Sequence, residues 1–310
     1  MTARLILVLS ENWTLTPARD LRALVRMAVE AEDAGFDAVM LSEHVVLGPS
    51  ADEHGRMANP REYALPGNQE PEMPWPSSIV LLSAIAAATT RLRLAAAAII
   101  APLRHPLVLA KDLATLDLLS EGRLVVLPTV SWHRDEYAAL GVPFERRGEL
   151  LDEHLAAWRV LWRESPATFE GRHYRFENVY LEPKRYRPEG PMLWFGGQTL
   201  HPRLVRRLAE HGHGFNPLGR PQPEELERLA SAMRDAGRDV ADLEMVGGTR
   251  AAFPDAHSPA PLEPALASIP EQQQQGFNSF CIKPSQFIDD PRELGSWCRE
   301  VVRRTAALAG

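Results

Sequence analysis

The stretch from Arg91 to Phe144 leaves this chain few ways to fold. It opens with Leu92 to Ile100, an apolar run dominated by alanine and closed by Ala101-Pro102. A run without polar alternation suits a strand covered on both faces. Leu107, Ala110, Lys111, Ala114 and Leu118 then recur at helical spacing, with Pro106 suited to the first turn and Glu121-Gly122 at the end. Leu124 to Leu127 begins a second short apolar run. Strand, crossover helix and strand predict a parallel sheet. Such sheets collect their chemistry at the C-terminal ends of strands, here Ala98 to Leu103 and Pro128 to His133.

The same alternation runs through all 310 residues. Arg4 to Leu9 is the first predicted strand, Thr16-Pro17 caps a helix that Gly35 stops, and Asp37 to Leu41 is the second strand. Leu47 to Pro76 is dense in Gly, Pro and polar residues, and a loop of that length in a compact domain reads as a lid or binding loop. Past the central stretch, Glu145 to Arg163 is an amphipathic helix and Thr168 to Pro183 a β-hairpin. Met192 to Phe195, His213 to Phe215, Leu243 to Gly247 and Asn278 to Ile282 are predicted strands five to eight. Helices are expected at Pro223 to Ala236, at Ala260 to Gln275, and after Asp290-Pro291-Arg292-Glu293, which reads as a capping box. The prediction is an α/β chain forming one (β/α)8 TIM barrel domain over residues 1–310. It carries a long loop after strand two and a hairpin insertion before strand five. An open doubly wound sheet shares this pattern, but no glycine-rich dinucleotide fingerprint follows the first strand.

Net charge is −7, which argues against general binding to a phosphate backbone, so no nucleic-acid partner is expected. The arginines at 203, 206 and 207 read as a solvated helix face. No apolar run is long enough for a bilayer, and Met1 to Ser10 lacks the features of a signal peptide, so a cytoplasmic protein without a membrane partner is expected. Only Cys281 and Cys298 are present, and they read as buried free thiols.

Two segments carry candidate chemistry on physical grounds. In Gly196-Gly197-Gln198-Thr199 the glycines let backbone approach a ligand, and Thr199 suits the cap of a following helix whose dipole favours phosphate. Glu43-His44 ends strand two, and histidine is the side chain suited to proton transfer near neutral pH. His133-Arg134-Asp135-Glu136 reads as a capped, partly exposed helix start. His211 and His213 lack neighbours for a metal site, and no metal is expected. Trp13, Tyr63, Trp75 and Phe215 serve either an aromatic substrate pocket or plain packing.

The segments PLRHPLVLAKDLATLDLLSEGRL and SWHRDEYAALGVPFERRGELLDE, with FEGRHYRFENVYLEPKRY and PMLWFGGQTL further on, resemble the luciferase-like monooxygenase superfamily. More narrowly, they are similar to its branch that uses the deazaflavin coenzyme F420. The resemblance implies a (β/α)8 barrel with a flavin or deazaflavin across its C-terminal mouth, a small-molecule substrate and a homodimer. It implies that Gly196, Gly197, Gln198 and Thr199 hold the cofactor's phosphate. It also implies a non-proline cis peptide at Ala98–Ile99, with both residues backing the ring, and Glu43 and His44 beside it, His44 as the proton-transfer residue. Relatives have a glycine-rich run after strand four, where this chain has Pro128-Thr129-Val130-Ser131-Trp132. Either Thr129 and Ser131 replace amide donors and Trp132 walls the ring, or the cofactor sits differently or weakly. The expected activity is F420-dependent hydride transfer to or from a small organic substrate. The alternatives are an FMN-dependent monooxygenase and a deazaflavin-binding protein without turnover.

Overall fold

The computed structural model describes residues 3–188 and 190–308. Eight parallel strands close into a barrel. They are β1 (Arg4–Val8), β2 (Ala38–Leu41), β3 (Arg93–Ile100), β4 (Leu124–Thr129), β7 (Met192–Phe195), β8 (Gly214–Phe215), β9 (Glu244–Gly248) and β10 (Ser279–Ile282). The numbers skip to β7 because β5 (Ala167–Glu170) and β6 (Arg175–Val179) form the separate antiparallel hairpin expected before the fifth barrel strand. Around the barrel run α1 (Leu21–Ala34), α2 (Ser78–Ala88), α3 (Pro106–Leu119), α4 (Arg134–Ala139), α5 (Arg147–Arg163), α6 (Pro202–His211), α7 (Pro223–Asp235), α8 (Leu262–Leu266), α9 (Ile269–Gln274) and α10 (Leu294–Ala307).

Strand pleat sorts the apolar residues into two layers. Ile6, Val8, Ala38, Met40, Ala95, Ala97, Val125, Leu127 and Trp194 fill the barrel interior. Their neighbours Leu5, Leu7, Val39, Leu41, Leu94, Ala96 and Val126 pack outward against the helices. The layering slips at the end of β3, where the register with β4 shifts between Ala97 and Ile99. The cis peptide lies there, at Ala97–Ala98, one bond earlier than expected. Ala97 and Ala98 both face the interior, while Ile99 is fully buried in the outer layer. Ile99 therefore cannot present its side chain to the mouth.

Three helix boundaries also differ from expectation. Thr16 does not cap α1; Asp20 does, accepting from the Ala23 amide at 3.1 Å, and Gly35 closes the helix at φ 99°. The single helix expected over 260–275 is two short ones, α8 and α9. Pro270 has no amide to donate back into the preceding turn, which breaks the run there. Asp290 caps a 3-10 turn, Pro291–Glu293, and the closing helix begins only at Leu294.

At the N-terminal ends of the strands, the Glu244 carboxylate receives both Arg93 Nη atoms at 2.7 Å, with Ser279 Oγ at 2.5 Å and Arg4 Nη1 at 3.3 Å. This clamp ties β3, β9, β10 and β1 together. Burial raises the Glu244 pKa, but Arg93 outweighs it and holds the carboxyl below its ordinary value of 4.5. Glu244→Ala strands a half-buried guanidinium and should cost about 3–5 kcal/mol in urea unfolding. Because the folded pKa is the lower one, the unfolded state binds more protons in acid. Wild-type stability should thus be full above pH 4.5 and fall as pH drops through the depressed value, with a shallower fall in the variant.

Candidate active site

Loops leaving the C-terminal ends of the strands build the opposite face of the barrel. Glu43 follows β2 and is almost fully buried. Its carboxylate accepts from Arg104 Nη1 at 2.7 Å and Nη2 at 3.0 Å, from Ser78 Oγ at 2.8 Å and from the Ile100 amide at 3.1 Å. Four donors commit Glu43 to pinning β2, β3, α2 and the turn before α3. Its expected place against a cofactor becomes a supporting one.

His44 comes next, buried within a ring of aromatic side chains. Its ring meets Trp75 edge-on at 5.2 Å, Trp132 at 5.8 Å and His133 at 6.2 Å between centroids. Nδ1 lies 3.2 Å from Glu136 Oε2. A carboxylate partner assigns the proton to Nδ1 and leaves Nε2 as the basic nitrogen. The second Glu136 oxygen accepts the Val45 amide at 2.5 Å and the Val46 amide at 3.4 Å.

The segment His133 to Glu136 is partly exposed, as its polarity suggested, with Arg134 at the surface, but two of its members turn inward. His133 and Glu136 are fully buried. His133 Nε2 accepts the Gly48 amide at 2.7 Å, and Asp135 accepts the Ser50 amide at 3.0 Å and hydroxyl at 2.8 Å. Burial is the main cause holding the His133 pKa down, which suits its acceptor role. Three side chains at the start of α4 thus hold residues 44–50 in place. The available signal was the i, i+3 spacing of His133 and Glu136, which puts both on one helix face.

Two further residues went unnoticed in the sequence, although each closely follows a barrel strand. Glu11 comes after β1 with φ 59°, and Lys283 comes directly after β10. Lys283 is fully buried, its Nζ 3.0 Å from the Glu62 carbonyl and 5.5 Å from the Tyr63 ring centroid. Burial raises the Glu11 pKa against the opposing pull of Lys283, His44 and the Ala64 amide, and it lowers that of Lys283 against Glu11. Both shifts favour the uncharged forms.

The remaining expected residues separate. Ala98, Thr129 and Trp132 are half-buried at the ends of β3 and β4, on the same side of the barrel as His44. Gly196 and Gly197 follow β7, with Gln198 and Thr199 exposed beyond them. Thr199 does not cap α6; His201 does, its Nδ1 accepting the Leu204 amide at 3.3 Å. Glu225 takes the Leu200 amide at 3.1 Å, so a carboxylate stands beside the turn expected to hold phosphate. A side chain at Gly196 would collide with the Asn216 carbonyl, so packing of β7 against the chain after β8 is sufficient reason for that glycine. Among the expected aromatics, Phe215 lies in the outer core and Trp13 packs against it, whereas Tyr63 adjoins the barrel interior. Of the arginines expected to be solvated, Arg207 is buried, donating to Asp152 at 2.8 Å and to the Gly148 carbonyl at 2.8 Å. Among the described residues, no three potential metal ligands cluster, and no helix is long and apolar enough to cross a membrane. Burial raises both thiols, Cys281 and Cys298, to about 12.

The residues at this face have the chemistry to meet a flat heterocycle with polar edges. Alanine at 97 and 98 keeps the wall of the mouth thin. Trp13 Nε1, Thr14 Oγ1, Trp75 Nε1 and His133 Nδ1 are buried without a partner on the surrounding loops. Buried polar atoms are rarely left so, and together they offer donors and acceptors to such a ring.

The sequence profile of the family described as luciferase-like monooxygenase matches residues 3–281. An uncharacterized protein of Mycobacterium tuberculosis is 36% identical over 168 residues, covering 54% of this chain and 57% of that protein. An FMNH2-dependent dimethylsulfone monooxygenase of Pseudomonas fluorescens is 36% identical over 136 residues, covering 43% of this chain and 35% of that one. The matches thus span little more than half the length of these relatives at most. Among solved structures, monooxygenase RslO1 from Streptomyces bottropensis superposes with TM-score 0.69 at 21% identity over 98% of both chains. An F420-dependent secondary alcohol dehydrogenase does so with TM-score 0.70 at 16% identity, covering 97% of this chain and 98% of that one. These two likenesses concern the fold.

Hydrogen exchange tests the anchoring of residues 44–50. In Glu136→Ala the Val45 and Val46 amides should exchange about tenfold to a hundredfold faster, while the Ser50 amide, held by Asp135, changes little. Unchanged protection of Val45 would remove Glu136 as the anchor.

Proposed function

For a chain that belongs to the luciferase-like monooxygenase family, we propose an oxidoreductase that uses reduced flavin mononucleotide on a small organic substrate, with His44 as its proton-transfer residue. The observation that carries this reading is the His44–Glu136 pair at the mouth of the barrel, walled by Trp75 and Trp132. FMN is preferred to F420 because the Pseudomonas relative is named as FMNH2-dependent. The likeness to the F420-dependent dehydrogenase, at 16% identity, carries the fold and leaves the cofactor open.

In this reading a bound flavin supplies the redox chemistry, and the protein supplies position and proton control. Ala98, Thr129 and Trp132 would hold the ring, and Gly197, Gln198 and Thr199 would hold the phosphate, with the Glu225 carboxylate, which accepts the Leu200 amide, as the neighbouring charge. Glu136 holds the His44 ring in one tautomer, so that Nε2 accepts or returns a proton at a fixed place. His44 is buried against the two tryptophans.

Anaerobic quenching of the chain's tryptophan fluorescence by reduced FMN and by reduced F420, in parallel, tests the assignment. Tighter binding of FMN is expected. Tighter binding of F420 would restore the deazaflavin reading, and quenching of neither would end both. His44→Ala should keep FMN affinity and lower turnover on the substrate found by about 10²–10⁴-fold. Loss of FMN binding in that variant would reassign His44 to holding the cofactor.

A further inference from the structure

Three polar side chains that this chemistry does not use meet inside the top of the barrel. Glu11 and Lys283 come from the ends of β1 and β10, and Tyr63 comes from the long loop after β2. The loop is pinned just before Tyr63. Asn59 Nδ2 donates to the Asp255 and Ser258 carbonyls, each at 3.0 Å, and Arg61 Nη2 donates to Asp289 at 2.6 Å. The Lys283 ammonium holds the Glu62 carbonyl at 3.0 Å. Seating this segment packs the Tyr63 side chain against the barrel interior.

Two atoms of this cluster are buried without a partner, the Tyr63 hydroxyl and Glu11 Oε1. Glu11 reaches its place through a left-handed backbone, uncommon for a residue with a side chain, at φ 59°. Lys283 has three donors, and one carbonyl occupies one of them. The cluster therefore offers Lys283 N–H donors, a hydroxyl and a carboxyl group, with Lys283 Nζ 5.5 Å from the Tyr63 ring centroid.

Its charge decides what it admits. Whether the proton rests on Glu11 or on Lys283, the pair carries no net charge. A ligand carboxylate there faces Glu11, a ligand cation faces Lys283, and a purely apolar group leaves all three unpaired. An uncharged group with an acceptor beside a donor satisfies them together. We propose that Glu11, Tyr63 and Lys283 form the substrate-recognition floor of the mouth and select a neutral amide-like group, as in a lactam, amide or urea. Its carbonyl accepts from Lys283 or Tyr63, and its N–H donates to Glu11. The assignment rests on reading the mouth as the redox site, and it names the class of substrate that site takes.

Titration calorimetry of the full chain with 2-piperidone, cyclohexanone, pentanoate and piperidinium tests it, with and without saturating FMN. Wild type should bind 2-piperidone about tenfold more tightly than the other three. Tyr63→Phe, which removes only an oxygen, should narrow that preference. Glu11→Gln and Lys283→Met each remove one partner of the amide and should likewise narrow that preference. A wild-type preference for an ion or for cyclohexanone overturns the proposal, as does a ranking unchanged across all variants. A preserved lactam preference in a chain whose fluorescence neither reduced FMN nor reduced F420 quenches would count against the cofactor reading and leave the floor standing.

Discussion

A carboxylate buried out of reach of water must be met by donors, and Glu136 meets its need entirely from residues 44–46. The arrangement at the mouth follows from that demand. Because one oxygen is spent on two backbone amides and the other on His44 Nδ1, the histidine cannot rotate without leaving Glu136 short of a partner. Glu43, one residue earlier, is saturated by Arg104, Ser78 and the Ile100 amide. The backbone on both sides of His44 is thus held by buried carboxylates, and the ring is positioned by the same groups that hold the loop.

Much of the barrel was legible from period and punctuation. Alternating layers, Gly35 as a helix stop and proline in the first turns of α3 and α7 are local signals, and they act locally in the fold. The misreadings came where a competing neighbour or an adjoining strand decides. Thr16 has the chemistry of a cap, but Asp20 occupies that place. Thr199 loses the same role to His201. Ile99 was expected to back the ring because the family resemblance put the cis peptide at Ala98–Ile99, one bond beyond its place at Ala97–Ala98. The register shift puts two successive residues inward and returns Ile99 to the outer core.

The site was less legible than the fold for a related reason. His44 could be named from residue type and position. Glu136 could not, because its partners lie about ninety residues earlier and its own segment reads as a capped, partly exposed helix start. Glu11 and Lys283 are farther apart still, and only closure of β1 against β10 brings them to one face. A charged residue just beyond an apolar strand was the available clue, and it acquires meaning only once the strand ends are known to converge.

The two ends of the barrel use the same residue types to opposite effect. Below, Glu244 is matched by two arginines and a serine, and the cluster is complete within the chain. Above, Glu11 and Tyr63 keep buried atoms without partners, and Lys283 carries its ammonium against a single carbonyl. An incomplete polar cluster is unfavourable for the folded state by itself, since each orphaned group has lost its water without replacement. A closed barrel carries that deficit at one end because satisfied clamps and two apolar layers stabilise the rest. The groups left unpaired then determine what can complete them, and a neutral cluster of mixed donors and acceptors is best completed by a molecule of the same kind.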